Sequence, residues 1–266
     1  MRQVPILMSV CVASALVVRA AGQVTSDSTA AVKETSTENR AREILKKADA
    51  ATKAVKLVSY KATLRATGAL AAYIPDVDGT VIIEGDCPDQ APLRFRYEAA
   101  FTLPNSIEKR RVVCGSDGNT HYLIDNGAKT VYADIDPAVV GSDGKVARIL
   151  AMIEYCYPTP FSDEINAEHV ELKGTAVIGG EDCYEIHVVY RQAEQEANWF
   201  ISKKDHLPRR VDRIATNRKG EKSTRRLTLA DVAVNPRFKE NPFKLVVPDG
   251  FTKADEFAPV RRRLPR

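Results

Sequence analysis

The sequence predicts a mainly β protein (α+β), in which a curved antiparallel sheet, or incomplete β-barrel, is covered by two helices. Apolar and polar residues alternate in many short stretches, which turn signals such as Asp125-Asn126-Gly127 and Gly179-Gly180 separate. Only two stretches show apolar residues at helical spacing. These two do not alternate with strands as helices do in a parallel sheet.

The first helix is expected to begin near Thr35 and Glu38, which have the spacing of a capping box. A second helix is expected after Asp136-Pro137 and should end before Pro158. The apolar stripes are Ala41, Ile44, Leu45, Ala48, Ala51 and Val55 in the first helix, and Val146, Ile149, Leu150 and Ile153 in the second.

Strands are predicted wherever the hydrophobic period is two, because alternate side chains of a strand point to opposite faces. The clearest stretches are Val58–Ala66, Leu93–Phe101 and Tyr184–Tyr190. The shorter ones are Val77–Glu84, Arg110–Gly115, Thr120–Ile124, Thr130–Ala133, Val170–Ile178, Trp199–Ser202, Arg209–Ile214, Thr224–Val234 and Phe243–Val247.

The N-terminus resembles a secretory signal peptide. Arg2 is followed by a nearly apolar run from Val4 to Val18, and Ala20-Ala21-Gly22 suits cleavage before Gln23. A membrane span needs about 20 apolar residues, more than this run offers. We therefore expect residues 1–22 to be removed on export.

The exported chain is expected to contain one domain, residues 38–257, between a flexible leader, residues 23–37, and a basic tail, residues 258–266. Without Arg2 and Arg19 the chain keeps 37 basic and 35 acidic residues. This balance does not predict nucleic-acid binding.

Four cysteines remain after cleavage, which is an even number in a chain bound for an oxidising compartment. No two have the spacing of a redox or zinc motif, so two structural disulfides or buried thiols are expected, with three pairings possible. The four are Cys87, Cys114, Cys156 and Cys183.

The sequence contains no recognisable catalytic motif, phosphate-binding loop or close metal pair, and no cofactor is predicted. Cys183, Glu185 and His187 alternate along one strand and therefore share a face. Such a trio could bind zinc or copper in a metal-dependent enzyme. We instead expect it on the solvent side of the strand, opposite the apolar Tyr184–Tyr190 face.

A long twisted sheet with one apolar face needs a cover on its concave side. If two helices cover that side incompletely, an apolar cleft remains between helix and sheet, and a ligand is expected there. The predicted lining residues are Tyr60, Leu64, Ile83, Phe95, Tyr97, Ile149 and Ile153.

The order of these signals resembles the LolA-like family, the periplasmic outer-membrane lipoprotein carriers and their relatives. The resemblance spans most of the exported chain, from the first helix to Asp255. The segments that carry it are Ser59–Leu64, Gly79–Ile83, Leu93–Tyr97, Ser116–Thr120, Trp199–Ser202, Leu207–Arg210 and Phe243–Gly250.

This resemblance implies an incomplete β-barrel wrapped over helices, a cavity for acyl chains and a periplasmic location. Lipoprotein carriers of the family typically place an arginine before the proline that closes an early strand, whereas this sequence has Cys87 before Pro88. The departure bears on lipoprotein cargo and on gating rather than on the fold.

The leading hypothesis is a non-enzymatic periplasmic carrier whose partner is a lipid or an acylated protein. The alternative is an envelope sensor or interaction module that docks on an envelope membrane protein, since the same half-barrel serves that role in envelope-stress regulators.

Overall fold

The computed structural model describes residues 27–85, 94–191 and 195–254, with side chains from Ser36 onward. Ser36–Arg266 is one compact unit, and Met1–Thr35 is a separate one. The expected signal peptide, Cys87 and the basic tail lie outside the described residues. No helix in the described ranges is both long and apolar enough to cross a membrane.

The first helix, α1, spans Asp27–Lys53 and so begins within the segment expected to be a flexible leader. Alanine, lysine and glutamate between Ala30 and Glu34 are good helix formers, which explains the earlier start. The predicted apolar stripe is buried at Ala41, Ile44, Leu45 and Ala48.

The remaining helices are short. Helix α2 spans Gly141–Arg148 and α3 spans Ser162–Ile165. The 3-10 helices span Gly68–Ala72, Pro137–Val140 and Ile153–Cys156.

The strands form one 12-stranded sheet in the order β12-β6-β5-β4-β3-β2-β1-β11-β10-β9-β8-β7. All neighbours are antiparallel except β12, which runs parallel to β6. The strands are β1 Leu57–Thr67, β2 Asp76–Glu84, β3 Arg94–Thr102, β4 Lys109–Asp117, β5 His121–Asp125, β6 Thr130–Asp134, β7 His169–Ile178, β8 Glu181–Val189, β9 Gln195–Ser202, β10 Pro208–Thr216, β11 Lys222–Val234 and β12 Thr252–Ala254.

Strand β1 lies at the centre of the sheet and joins its two halves. It pairs with β2, next to it in sequence, and with β11, near the other end of the chain. All other antiparallel pairs join strands that are consecutive in sequence.

One face of the sheet, here called the inner face, carries Tyr60, Ala62 and Leu64 and belongs to the main apolar cluster. It is covered by residues 137–167, here called the cover segment, and the apolar side of α1 joins the same cluster. The packing at Gly79 is close: a Cβ there would lie 2.1 Å from the Glu98 carbonyl oxygen on β3 and 2.7 Å from Cδ1 of Leu150. Glycine on β2 thus leaves room for the backbone of β3 and for the side chain of Leu150 from the cover segment.

The second predicted helix is shorter than expected. Helix α2 ends at Arg148, so Ile149 and Ile153 lie beyond it. The hydroxyl of Tyr60 accepts a hydrogen bond from the Met152 amide at 2.8 Å and donates one to the Leu150 carbonyl at 3.4 Å. These bonds satisfy backbone groups that a continued helix would have paired internally.

The C-terminal segment differs most from the sequence-based assignment. The predicted strand Phe243–Val247 is not a strand, and β12 forms further along. Leu245 and Phe251 pack on Tyr122 and its neighbours on the opposite, outer face of the sheet. The Tyr122 hydroxyl donates to the Phe243 carbonyl at 3.1 Å, which fixes this segment across the sheet rather than beside it.

We expect Tyr60→Phe to lower the free energy of unfolding by about 1–3 kcal/mol, because the buried Met152 amide loses its acceptor. Chemical denaturation measures this change. Tyr73→Phe is the control, since Tyr73 is exposed. Equal effects of the two substitutions would contradict the role of the Tyr60 hydroxyl.

Candidate functional site

The predicted lining residues fall into two groups. Tyr60, Leu64, Ile83 and Tyr97 are at most 1% exposed and lie together on β1–β3. Phe95 is partly buried, and its ring stacks on Tyr97 with centroids 4.8 Å apart. These side chains form packed core in this structure, and ligand contact at them stays a prediction.

The two predicted residues of the cover segment differ in exposure. Ile149 is partly buried against the main cluster. Ile153 is 39% exposed and lines a cleft beside residues 153–167 of the cover segment. The structure therefore connects only Ile153, among the predicted lining residues, with this cleft.

The cleft has a volume of about 860 Å³ and lies between residues 153–167 of the cover segment and the part of the sheet formed by β8–β11. Its size is within the range of small-molecule sites, about 300–1,000 Å³. Apolar lining is supplied by Ile153, Tyr157, Pro158, Pro160 and Ala167. The cleft thus offers apolar surface at the border of the main cluster.

Charged residues line the sheet side of the cleft. Arg213 donates to Oε1 of Glu154 at 2.6 Å, and its guanidinium lies 5.3 Å from the centre of the Trp199 ring. Arg225 stands directly opposite Arg213 in the β10–β11 register. Burial raises the pKa of Glu154, although Arg213 and Arg225 act to lower it.

Glu164 forms a second polar group in the cleft and is only 5% exposed. The Tyr190 hydroxyl donates to its Oε1 at 2.6 Å and accepts a hydrogen bond from Nε1 of Trp199 at 3.2 Å. Burial raises the pKa of Glu164 to about 7. Burial therefore favours the neutral form of this carboxyl relative to an exposed glutamate.

Sequence reasoning did not select the charged residues of the cleft. A signal was present, because Arg213 follows Val211, and Arg225 precedes Leu227, at the two-residue period of the buried side chains. A charged residue in phase with apolar neighbours on a strand points into the protein rather than into solvent.

The expectation that Cys183, Glu185 and His187 all lie on the solvent side is wrong for Cys183. Its side chain is buried with Ile178 and Phe200 on the outer face. Burial raises the pKa of the thiol to about 11, which disfavours the thiolate that metals bind. Within the described ranges no three His, Cys, Asp or Glu residues are grouped as a metal site.

Two of the remaining cysteines are buried in the main cluster, Cys114 and Cys156. No disulfide joins Cys114, Cys156 and Cys183 to one another. Burial raises the pKa of Cys114 to about 12, so it stays a thiol at neutral pH.

No protein-family model matches the chain, and no curated protein is similar in sequence at a significant level. Among solved structures, LprF from Mycobacterium bovis is 13% identical, with 77% of this chain and 98% of that chain covered and a TM-score of 0.51. This likeness establishes the fold, and the predicted LolA-like fold is confirmed.

Two further solved structures are less similar. The lipoprotein LppX from Mycobacterium tuberculosis is 14% identical, with 76% and 100% of the two chains covered and a TM-score of 0.46. The Pseudomonas aeruginosa MucA/MucB complex contains a chain that is 14% identical, with 78% of this chain and 61% of that chain covered and a TM-score of 0.42.

We expect Glu164→Gln to raise the free energy of unfolding at pH 8 by on the order of 2 kcal/mol. The native state holds this proton more tightly than the unfolded chain, so the contribution of Glu164 is most favourable below pH about 4.5 and weakens up to pH about 7. The free energy of unfolding, measured by chemical denaturation at several pH values in this range, should therefore decline less with rising pH in Glu164→Gln than in the wild type.

Glu43→Gln is the matched control, because Glu43 is exposed on α1. A Glu164→Gln protein that keeps the decline with rising pH would contradict the assignment of the elevated pKa to Glu164.

Proposed function

We propose that this protein is a non-enzymatic periplasmic carrier that binds a lipid, the acyl chain of a lipoprotein or another apolar ligand. The observation that carries the proposal is the cleft at the edge of the main cluster, where Ile153 and Tyr157 lie beside the sheet. The LolA-like fold supports it, because this fold places helical cover over an apolar sheet face.

The ligand chain enters past Ile153 and extends between the cover segment and the inner face. Few directional contacts hold this part of the cover segment. Asp49 on α1 accepts from the Phe161 amide at 2.9 Å, Arg42 donates to the Ala167 carbonyl at 3.2 Å, and Glu154 pairs with Arg213. Arg42 also donates to the Ile165 carbonyl, and the Tyr190 hydroxyl donates to Glu164 at 2.6 Å. The apolar contacts of this segment are non-directional, so an acyl chain can replace them.

The free energy available from an acyl chain is large enough for such an exchange. At about 0.8 kcal/mol per methylene, a chain of about fourteen methylenes gives roughly 11 kcal/mol before ordering costs. Part of this free energy is offset when the ligand separates the cover segment from the sheet, because the apolar contacts between them are lost. Entry by this route also brings the chain toward the predicted contacts Tyr60, Leu64, Ile83, Phe95, Tyr97 and Ile149.

Native mass spectrometry of gently purified protein and titration with a fluorescent fatty acid test the proposal. We expect a co-purifying lipid and saturable binding. Protein with no bound lipid and no affinity for the fatty acid would refute the carrier function.

We expect Ile153→Ser to weaken binding of the fluorescent fatty acid about 5- to 30-fold, because apolar surface at the mouth of the cleft is lost. Ile107→Ser is the control, because Ile107 is fully exposed and does not line the cleft. Equal affinities of the two variants would place the ligand elsewhere.

A second candidate function is an envelope sensor or protein-interaction module. It is favoured by the packing of Tyr60, Leu64, Ile83 and Tyr97, which leaves them at most 1% exposed. An envelope pull-down that retains one stoichiometric membrane protein, together with lipid-free protein in the mass spectrum, would support this function over the carrier.

A further inference from the structure

In the described part of the chain, the sheet side of the cleft carries arginine and no carboxylate, whereas the acidic lining residues Glu154, Asp163 and Glu164 lie on the cover segment. Arg213 on β10 and Arg225 on β11 are directly opposite each other. Directly opposite side chains have Cβ atoms about 4.5–5.5 Å apart, and like charges in such a pair destabilise a sheet. The arrangement needs a counter-charge.

Among the residues that the structure describes, only one of the two arginines has an ion-pair partner. Glu154 accepts from Arg213 at 2.6 Å, while no described carboxylate lies within 4.0 Å of the Arg225 guanidinium. Burial and the neighbouring Arg213 both lower the pKa of Arg225, whereas Glu154 acts to raise it. Arg225 is thus a partly buried cation that has no ion-pair partner among the described residues.

The other two carboxylates that line the cleft, Glu164 and Asp163, form no ion pair with Arg225. Glu164 is bound by the Tyr190 hydroxyl, and its burial favours the neutral form. Asp163 is exposed to solvent. Arg191 also lines the cleft and adds a further positive charge.

We propose that Arg225, beside Arg213, binds the oxyanion of an anionic amphiphile whose apolar chain contacts Ile153 and Tyr157 in the same cleft. The shared chemistry is a carboxylate or a phosphate joined to an alkyl chain. Guanidinium groups bind both oxyanions through paired hydrogen bonds. This inference rests on the proposed lipid-binding function and names its ligand class.

The positions of the residues around the cleft suit a ligand with a charged head group and an apolar chain. The apolar residues that line the cleft lie on the cover segment, whereas both arginines lie on the sheet opposite them. An amphiphile in the cleft would therefore have its head group against β10 and β11 and its chain against the cover segment. A neutral alcohol of equal length would make only the second set of contacts.

Calorimetric titration at low salt with dodecanoate, dodecyl phosphate, dodecanol and inorganic phosphate tests the inference, each lipid below its micellar concentration. We expect the wild type to bind the two anionic lipids at least about tenfold more tightly than dodecanol, since a charge-assisted pair contributes about 1.5–3 kcal/mol. Arg225→Gln should remove this preference, and Arg225→Lys should retain part of it.

Arg111→Gln is the matched control, because Arg111 is exposed on β4 and does not line the cleft. Thermal unfolding of each variant checks the fold, and Arg225→Gln is expected to melt no lower than wild type, because it removes a like-charge pair. If Arg225→Gln melts lower than the wild type, the wild type alone is used for the test. Its preference for the anionic lipids over dodecanol should then decrease as salt is added.

The outcomes separate the inference from the function on which it rests. No binding of any lipid would overturn both. Equal binding of dodecanol and the anionic lipids, or an unchanged preference in a folded Arg225→Gln protein, would overturn the inference and leave the carrier function standing. If inorganic phosphate binds and the lipids do not, the ligand is not an amphiphile, and the arginines form a simple anion site.

Discussion

The cover segment crosses an apolar sheet face with irregular backbone, and its polar groups must find partners there. Buried amide and carbonyl groups without partners are costly. Tyr60 supplies one such partner from the sheet, and Asp49 and Arg42 supply others from α1. The position of the cover segment, and with it the position of the cleft, depends on these few polar contacts within a much larger apolar surface.

The sequence predicts the sheet well because most strands have one buried face, which imposes a two-residue period. It fails at Phe243–Val247, since alternation also arises when a turn and the residues after it lie on the face of the sheet, with Phe243 buried and Leu245 partly buried. It also extends the second helix too far. The apolar spacing of Ile149 and Ile153 is helical, but the bonds of Leu150 and Met152 to Tyr60 are tertiary contacts that no local pattern contains.

The candidate site is less accessible to sequence reasoning than the fold. Apolar alternation places Tyr60, Leu64, Ile83 and Tyr97 correctly on one face, but it does not distinguish a packed face from an open one. The charged part of the cleft depends on Glu154 meeting Arg213, which is 59 residues away in sequence. Only the register of β10 and β11 shows that Arg213 and Arg225 face each other.

The central position of β1 affects how the chain reaches its native state. Since β1 is made early and one of its neighbours, β11, is made near the end, the hydrogen-bonding edge between them stays open while most of the polypeptide emerges. Contacts so distant in sequence are associated with slow folding, and an open edge promotes aggregation. The edge of β1 is therefore open to wrong partners until β11 is available to pair with it.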